Sequence, residues 1–255
     1  LEHNFKEVDA TLLAHILDEI RKGSEPNGPI AQHWNIGDAF AQLHNSAQIT
    51  RRDLATLEFA YFSALEHTEH GARNLYAELL SDPAFFMELI CLVYKPRAAA
   101  TEPLDESLKL ASELAWRVLH EGRGLPGTSP DGALDVESFA RWVKETRDLS
   151  EARDRAERVD SVIGQWFSSC PADEDGTWPC TAVRDLLDES GAENLRDGFA
   201  SGIVHNRGVT SRAHDDGGDQ ERTLRQKYRD LAKPLHASHP NVAAMFEQIS
   251  QSYDR

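Results

Sequence analysis

Thr50–Val93, TRRDLATLEFAYFSALEHTEHGARNLYAELLSDPAFFMELICLV, is the stretch that decides the fold class. Thr50-Arg51-Arg52-Asp53 has capping-box spacing with Asp in place of the usual Glu, which marks a helix start. Leu54, Leu57, Tyr61, Ala64 and Leu65 then recur at helical spacing until Gly71 ends the run. Ala72–Leu80 carries Leu75, Tyr76, Leu79 and Leu80 on a second stripe. Ser81-Asp82-Pro83 supplies a cap followed by proline at the first helical position, and Phe85, Phe86, Leu89, Ile90 and Val93 follow as the most hydrophobic helix of the chain. Helices joined by turns this short must pack on one another.

Outward from this core the same period persists. Val8–Lys22 places Leu12, Leu13, Ile16, Leu17 and Ile20 on one face, with Asp9 as N-cap. In Ile30–Leu43, Trp34, Phe40 and Leu43 are core candidates and Gly37-Asp38 suggests a break. Leu104–His120 is amphipathic, Asp135 caps a helix with Phe139, Trp142 and Val143 inward, and Ser150 is read as the start of a long charged helix through Phe167. Helices from about Thr181, Ala192, Asp219 and Pro240 complete the chain. Alternation of apolar and polar residues never persists, so no strand is expected. The chain reads as all-α, with about a dozen helices, divided into an N-terminal bundle (1–95) and a helical-repeat region (104–255) with a long loop at 204–218.

A formal charge of −16, from 27 basic against 43 acidic side chains, repels phosphate backbones and argues against nucleic acid as the main partner. Hydrophobic content of 40% is ordinary for a globular chain and argues against wholesale disorder. No apolar run reaches the roughly 18 residues of a membrane span and no signal peptide is visible, so the expected setting is the cytoplasm and no membrane partner is expected. Cys91 reads as a small buried hydrophobe. Cys170 and Cys180 bracket PADEDGTWP and could close a short disulfide loop; with nothing else marking secretion, a reduced pair is favoured. The chain opens on Leu1 and stops at Arg255 within a helical pattern, which reads as a fragment of something longer.

An internal repeat is visible in the second half. Pro130-Asp131-Gly132 with Leu134, then Phe139, Trp142 and Val143, lines up with Asp173–Gly176 with Trp178, then Val183, Leu186 and Leu187. Setting Gly132 on Gly176 gives an offset of 44 residues, within the range of HEAT-like units. The architecture expected is a HEAT-like helical repeat, an α-solenoid array.

The longest run without hydrophobic periodicity is Gly198–Arg229, GFASGIVHNRGVTSRAHDDGGDQERTLRQKYR, and it is the candidate recognition loop. The binding candidates are Arg207, Arg212, Gln220 and Arg222. Two readings of the arginines stand side by side: they recognise a partner, or they neutralise Asp215 and Asp216 and order the loop. Arg207 and His214, six residues apart, have a spacing allowed in the arginine–histidine pair of HEPN-type ribonucleases, which is the enzymatic alternative.

Other motifs fail on context. Gly122-Arg123-Gly124-Leu125-Pro126-Gly127 matches G-x-G-x-x-G but follows a helix rather than a strand. Asp173-Glu174-Asp175-Gly176 lacks the first and last carboxylates of a calcium loop. His67/His70 and His236/His239 have metal-compatible spacing without identifiable further ligands. No cofactor, metal or catalytic residue is assigned.

From the second repeat onward, the pattern DG-x-WP, VRDLL, NRGVTSR, GGDQERTLRQKYRDLA and HP resembles the C-terminal region of large, poorly characterised multidomain bacterial proteins, some linked to antiphage defence beside NTPase or effector domains. The resemblance covers about the last hundred residues, and Ala72–Lys95 more loosely. It implies a helical, non-catalytic sensor or interaction segment whose partner is another protein or another domain of the parent chain.

Overall fold

A computed structural model describes residues 8–23, 36–66, 68–69, 71–97, 106–207 and 219–253. Among them are thirteen α-helices, numbered here in chain order, and one short 3-10 turn. No strand occurs among the described residues beyond an isolated bridge between Thr128 and Leu134. None of the described helices is long and apolar enough to cross a membrane. Contacts divide the chain into two units, Leu1–Gly122 and Arg123–Arg255. The boundary read from sequence fell between 95 and 104. The contact division instead leaves Glu106–Glu121, which packs on Pro83–Val93, in the first unit.

The first unit holds α1 (Ala10–Gly23), α2 (Ile36–His44), α3 (Arg51–Ala60), α4 (Phe62–Leu65), α5 (Arg73–Leu79), α6 (Pro83–Val93) and α7 (Glu106–Glu121). Leu13, Leu17, Phe40, Leu43, Leu54, Leu57 and Leu65 form its first apolar cluster, whereas Leu12, placed on the same face by its spacing, is 53% exposed. Gly37-Asp38 is not a break, because α2 starts at Ile36 and runs through it; Trp34 lies outside the described residues. Thr50 caps α3 by accepting from the Asp53 N–H at 3.1 Å, and its hydroxyl donates to Asp53 Oδ2 at 2.6 Å. Asp82 caps α6 by accepting from the Ala84 N–H at 2.9 Å, with Pro83 at the first turn.

A buried polar joint ties three of these helices. The Glu58 side chain is 0% exposed, and its carboxylate accepts from Asn74 Nδ2 at 2.7 Å and from the Leu75 N–H at 2.6 Å. His44 Nε2 meets the same carboxylate at 2.6 Å. Nearer the surface, Arg51 bonds Glu78 and Ser81 at 2.6 Å each, while Arg52 bonds Asp82 and Glu88 with its guanidinium 3.9 Å above the Phe85 ring. Cys91 is half-buried rather than fully enclosed, because it falls beside Leu92 and Val93 at the looser end of α6.

The second unit holds α8 (Val136–Ala152), α9 (Ala156–Phe167), α10 (Thr181–Asp188), α11 (Glu193–Arg207), α12 (Asp219–Ala232) and α13 (Pro240–Ser252). Asp135 caps α8 by accepting from the N–H groups of Glu137 and Ser138. Ser150 does not begin a helix. It lies buried in the last turns of α8, and its carbonyl accepts from Arg153 and Arg155 as Asp154 turns left-handed at φ 56° and the chain restarts as α9. Phe139, Trp142, Val143, Val159, Ile163, Trp166 and Phe167 are buried, and the Phe139 and Phe167 rings meet across the two helices at 5.2 Å.

The two Asp-Gly turns share one hydrogen-bond pattern at the predicted offset. Ser129 N–H donates to Ala133 O and Gly132 N–H to Ser129 O, each at 2.9 Å; Asp173 N–H donates to Thr177 O and Gly176 N–H to Asp173 O, each at 2.9 Å. Asp131 accepts from the Ala133 N–H as Asp175 does from the Thr177 N–H. Gly132 (φ +90°) and Gly176 (φ +81°) occupy the left-handed region, where a Cβ is strained. Leu134 and Trp178 follow at the same step as the anchors read from sequence.

Candidate functional site

Part of the candidate recognition run, including residues 204–207 of the loop expected at 204–218, is helical. Gly198–Arg207 is not loop but the greater part of α11, and the reason lies in its glycines. A Cβ at Gly198 would stand 2.0 Å from the Ser161 carbonyl oxygen, and one at Gly202 would stand 2.3 Å from Ser168 Oγ and 2.6 Å from the Gln165 carbonyl oxygen. Across the contact, a Cβ at Gly164 would meet the Leu195 carbonyl oxygen at 2.1 Å. α9 and α11 therefore touch backbone to backbone, and close approach replaces the large apolar side chains that mark a helix in sequence. Asn206 adds a bond from its Nδ2 to Ser168 Oγ at 2.9 Å, one residue before the helix ends.

This packing delivers Arg207 to an aromatic row. Its guanidinium carbon lies 5.6 Å from the Tyr253 ring centroid. Tyr253 stacks on Tyr228 at 6.0 Å and 7°, and Tyr228 stacks on Phe246 at 6.3 Å. Phe246 packs on Trp178 at 5.6 Å and Trp178 on Phe199 at 5.3 Å, so the row runs from the second Asp-Gly turn to the end of α11. Burial pushes the Tyr228 hydroxyl above its ordinary value, Tyr253 adds to that, and the Arg207 charge opposes it. Gln220 is half-buried and Arg222 exposed in the first turn of α12. Arg212 and His214 lie outside the described residues, as do Asp215, Asp216 and the rest of 208–218.

Arginine beside a tyrosine ring joins a planar, permanently charged group to an aromatic face, a combination found where carboxylates and carbonyls are recognised. Arg207 is among the candidates named from sequence, whereas Tyr228 and Tyr253 are not. The missed signal was an aromatic just past the last apolar position of α13.

The remaining motifs resolve into local structure. Asp173 accepts from the Thr181 N–H at 3.0 Å and from its hydroxyl at 2.8 Å, and pairs with Arg184 at 2.8 Å. Burial raises the Asp173 carboxyl, but those bonds and the Arg184 charge outweigh it and hold the group below the usual carboxylate value. His236 faces Glu247 at 3.4 Å, whereas His239 faces Asp185 at 3.0 Å, so the two imidazoles do not converge. His67 and His70 lie outside the described residues. No group of three or more His, Cys, Asp or Glu is placed to hold a metal ion among the described residues. In the G-x-G-x-x-G segment, Gly127 (φ +76°) lets the chain pass the N-terminus of α8, where a Cβ would stand 2.8 Å from the Asp135 carbonyl oxygen. A cavity of about 200 Å³ opens beside Arg147, but that arginine is committed to Asp160 at 3.0 Å and Glu189 at 2.8 Å.

Comparison with protein families, with curated proteins and with solved structures finds no match to this chain.

Proposed function

We propose that the chain is a helical interaction module, built as a HEAT-like array, that binds a carboxylate-bearing segment of another protein or of another domain of its parent chain. The observation that supports this reading is Arg207 laid over the Tyr253–Tyr228 stack at the end of α11. Arginine and tyrosine are the side chains most enriched where interfaces concentrate their binding energy. The chain as a whole carries −16, so a carboxylate-bearing partner would need a basic anchor of this kind. The resemblance of the last hundred residues to the C-terminal regions of large bacterial proteins points the same way.

The test is affinity capture from bacterial lysate with the wild-type chain and with Arg207→Glu, partners being identified by mass spectrometry. The expected result is a protein recovered with wild type and reduced at least about tenfold with Arg207→Glu, in line with the loss of one interface anchor. An unchanged set of recovered proteins would leave Arg207 as a purely structural contact. RNA cleavage by the chain, abolished in His214→Ala, would replace this reading with the HEPN-type ribonuclease.

A further inference from the structure

Cys170 and Cys180 stand at the two ends of the loop that carries the second Asp-Gly turn, and the fold has already brought them together. Cys180 N–H donates to Pro171 O at 3.1 Å, and Trp178 Nε1 donates to Cys170 O at 2.9 Å, so the ends of the loop are held across its neck. Both residues are buried, at 6% exposure, and neither is in a disulfide. Cys180 is the residue immediately before α10, where the helix dipole and Arg184 one turn further on favour a negative charge and the Asp173 carboxylate opposes it. The hydrogen bond from Cys170 pulls the Cys180 thiol down to about 7, while the same bond, with burial, pushes Cys170 up.

We propose that Cys170 and Cys180 form a reversible disulfide, made with a hydroperoxide as oxidant and reopened by a dithiol. Cys180, as thiolate, attacks one peroxide oxygen; the O–O bond breaks, the second oxygen leaves as hydroxide or alkoxide, and Cys180 becomes a sulfenic acid. Cys170 then gives up its proton and attacks the Cys180 sulfur. The S–O bond breaks, the S–S bond forms and water leaves. The two thiols lose two electrons and two protons, which reduce the peroxide to water plus water or alcohol. A dithiol reverses the closure by exchange through a mixed disulfide.

The whole chain is treated with hydrogen peroxide, denatured in N-ethylmaleimide and mapped by mass spectrometry. The chain has three cysteines, so Cys91 in the other unit serves as the internal control. The expected result is a single maleimide, on Cys91, together with a cross-linked peptide joining Cys170 to Cys180, and three maleimides after dithiothreitol. In Cys170→Ser, Cys180 should stop at the sulfenic acid and be captured by dimedone. The proposal is overturned by three maleimides after peroxide, by a cross-link to Cys91 or to a second chain instead, or by sulfinic acid at Cys180 without a cross-link. The wild-type map decides by itself should either serine variant fail to fold.

Discussion

At Glu58 a buried carboxylate meets Asn74, the Leu75 N–H and His44 at once. Glu58→Ala would leave those buried groups without their acceptor, and the expected loss of stability is about 3–5 kcal/mol by chemical denaturation. Nothing in the sequence distinguishes Glu58 from the surface glutamates around it, since its partners lie 14 to 17 residues away along the chain. Gly198 teaches a similar lesson with the opposite sign. Its absent side chain made α11 look like loop, yet Gly198→Ala would drive a methyl group into the Ser161 carbonyl. The expected cost is about 3 kcal/mol, at the upper end of overpacking, read as a lowered denaturation midpoint. Asp173 makes a pH prediction. Its carboxyl is depressed in the folded chain, so its stabilising contribution is complete above the unfolded value of about 3.9 and is lost as pH falls through the lower folded value. Melting temperature measured from pH 5 downward should therefore fall less steeply in Asp173→Asn than in wild type; parallel curves would show that the Arg184 pair contributes nothing to the acid limb.

Helix starts were the most legible elements, because a cap is a local matter of one side chain and the next two N–H groups. Thr50, Asp82 and Asp135 all cap the helices their spacing marks. Asp135→Ala should cost about 1 kcal/mol, the usual worth of a cap, and a value near zero would mean that tertiary packing alone sets where α8 begins. Helix ends were harder. The α8–α9 junction rests on Asp154 in a left-handed conformation, a position where glycine gives the usual signal and aspartate gives almost none. The Asp-Gly turns were readable as a pair because both need a positive φ at the same step, and only glycine meets that need at no cost.

For the molecule as a whole, composition and period were enough for the all-helical class. Where the chain divides was not, because Glu106–Glu121 is amphipathic whichever neighbour it packs on. Contacts group it with Pro83–Val93 and Ser63, through the Arg117 hydrogen bond of 2.9 Å. Residues 123–255 form their own contact unit, and expressed alone they should unfold in one cooperative thermal transition. A broad, non-cooperative melt would mean that the unit needs residues before Arg123. The candidate site was half-legible for the same reason as the fold: Arg207 is a charged residue in a conspicuous run, whereas Tyr228 and Tyr253 meet it only through two further helices.

The two Asp-Gly turns reach their helices by different counts. Gly127 O accepts from Asp135 N–H eight residues on, while Pro171 O accepts from Cys180 N–H nine residues on, although the turns themselves are bonded alike. The later copy therefore carries one more residue between turn and helix and has lost neither. Length can drift at that joint, and not within the bonded turn. An insertion directly after Leu134 should be absorbed, whereas one between Ser129 and Ala133 should break the turn. Any lengthening or shortening between copies of this unit should fall at the same place.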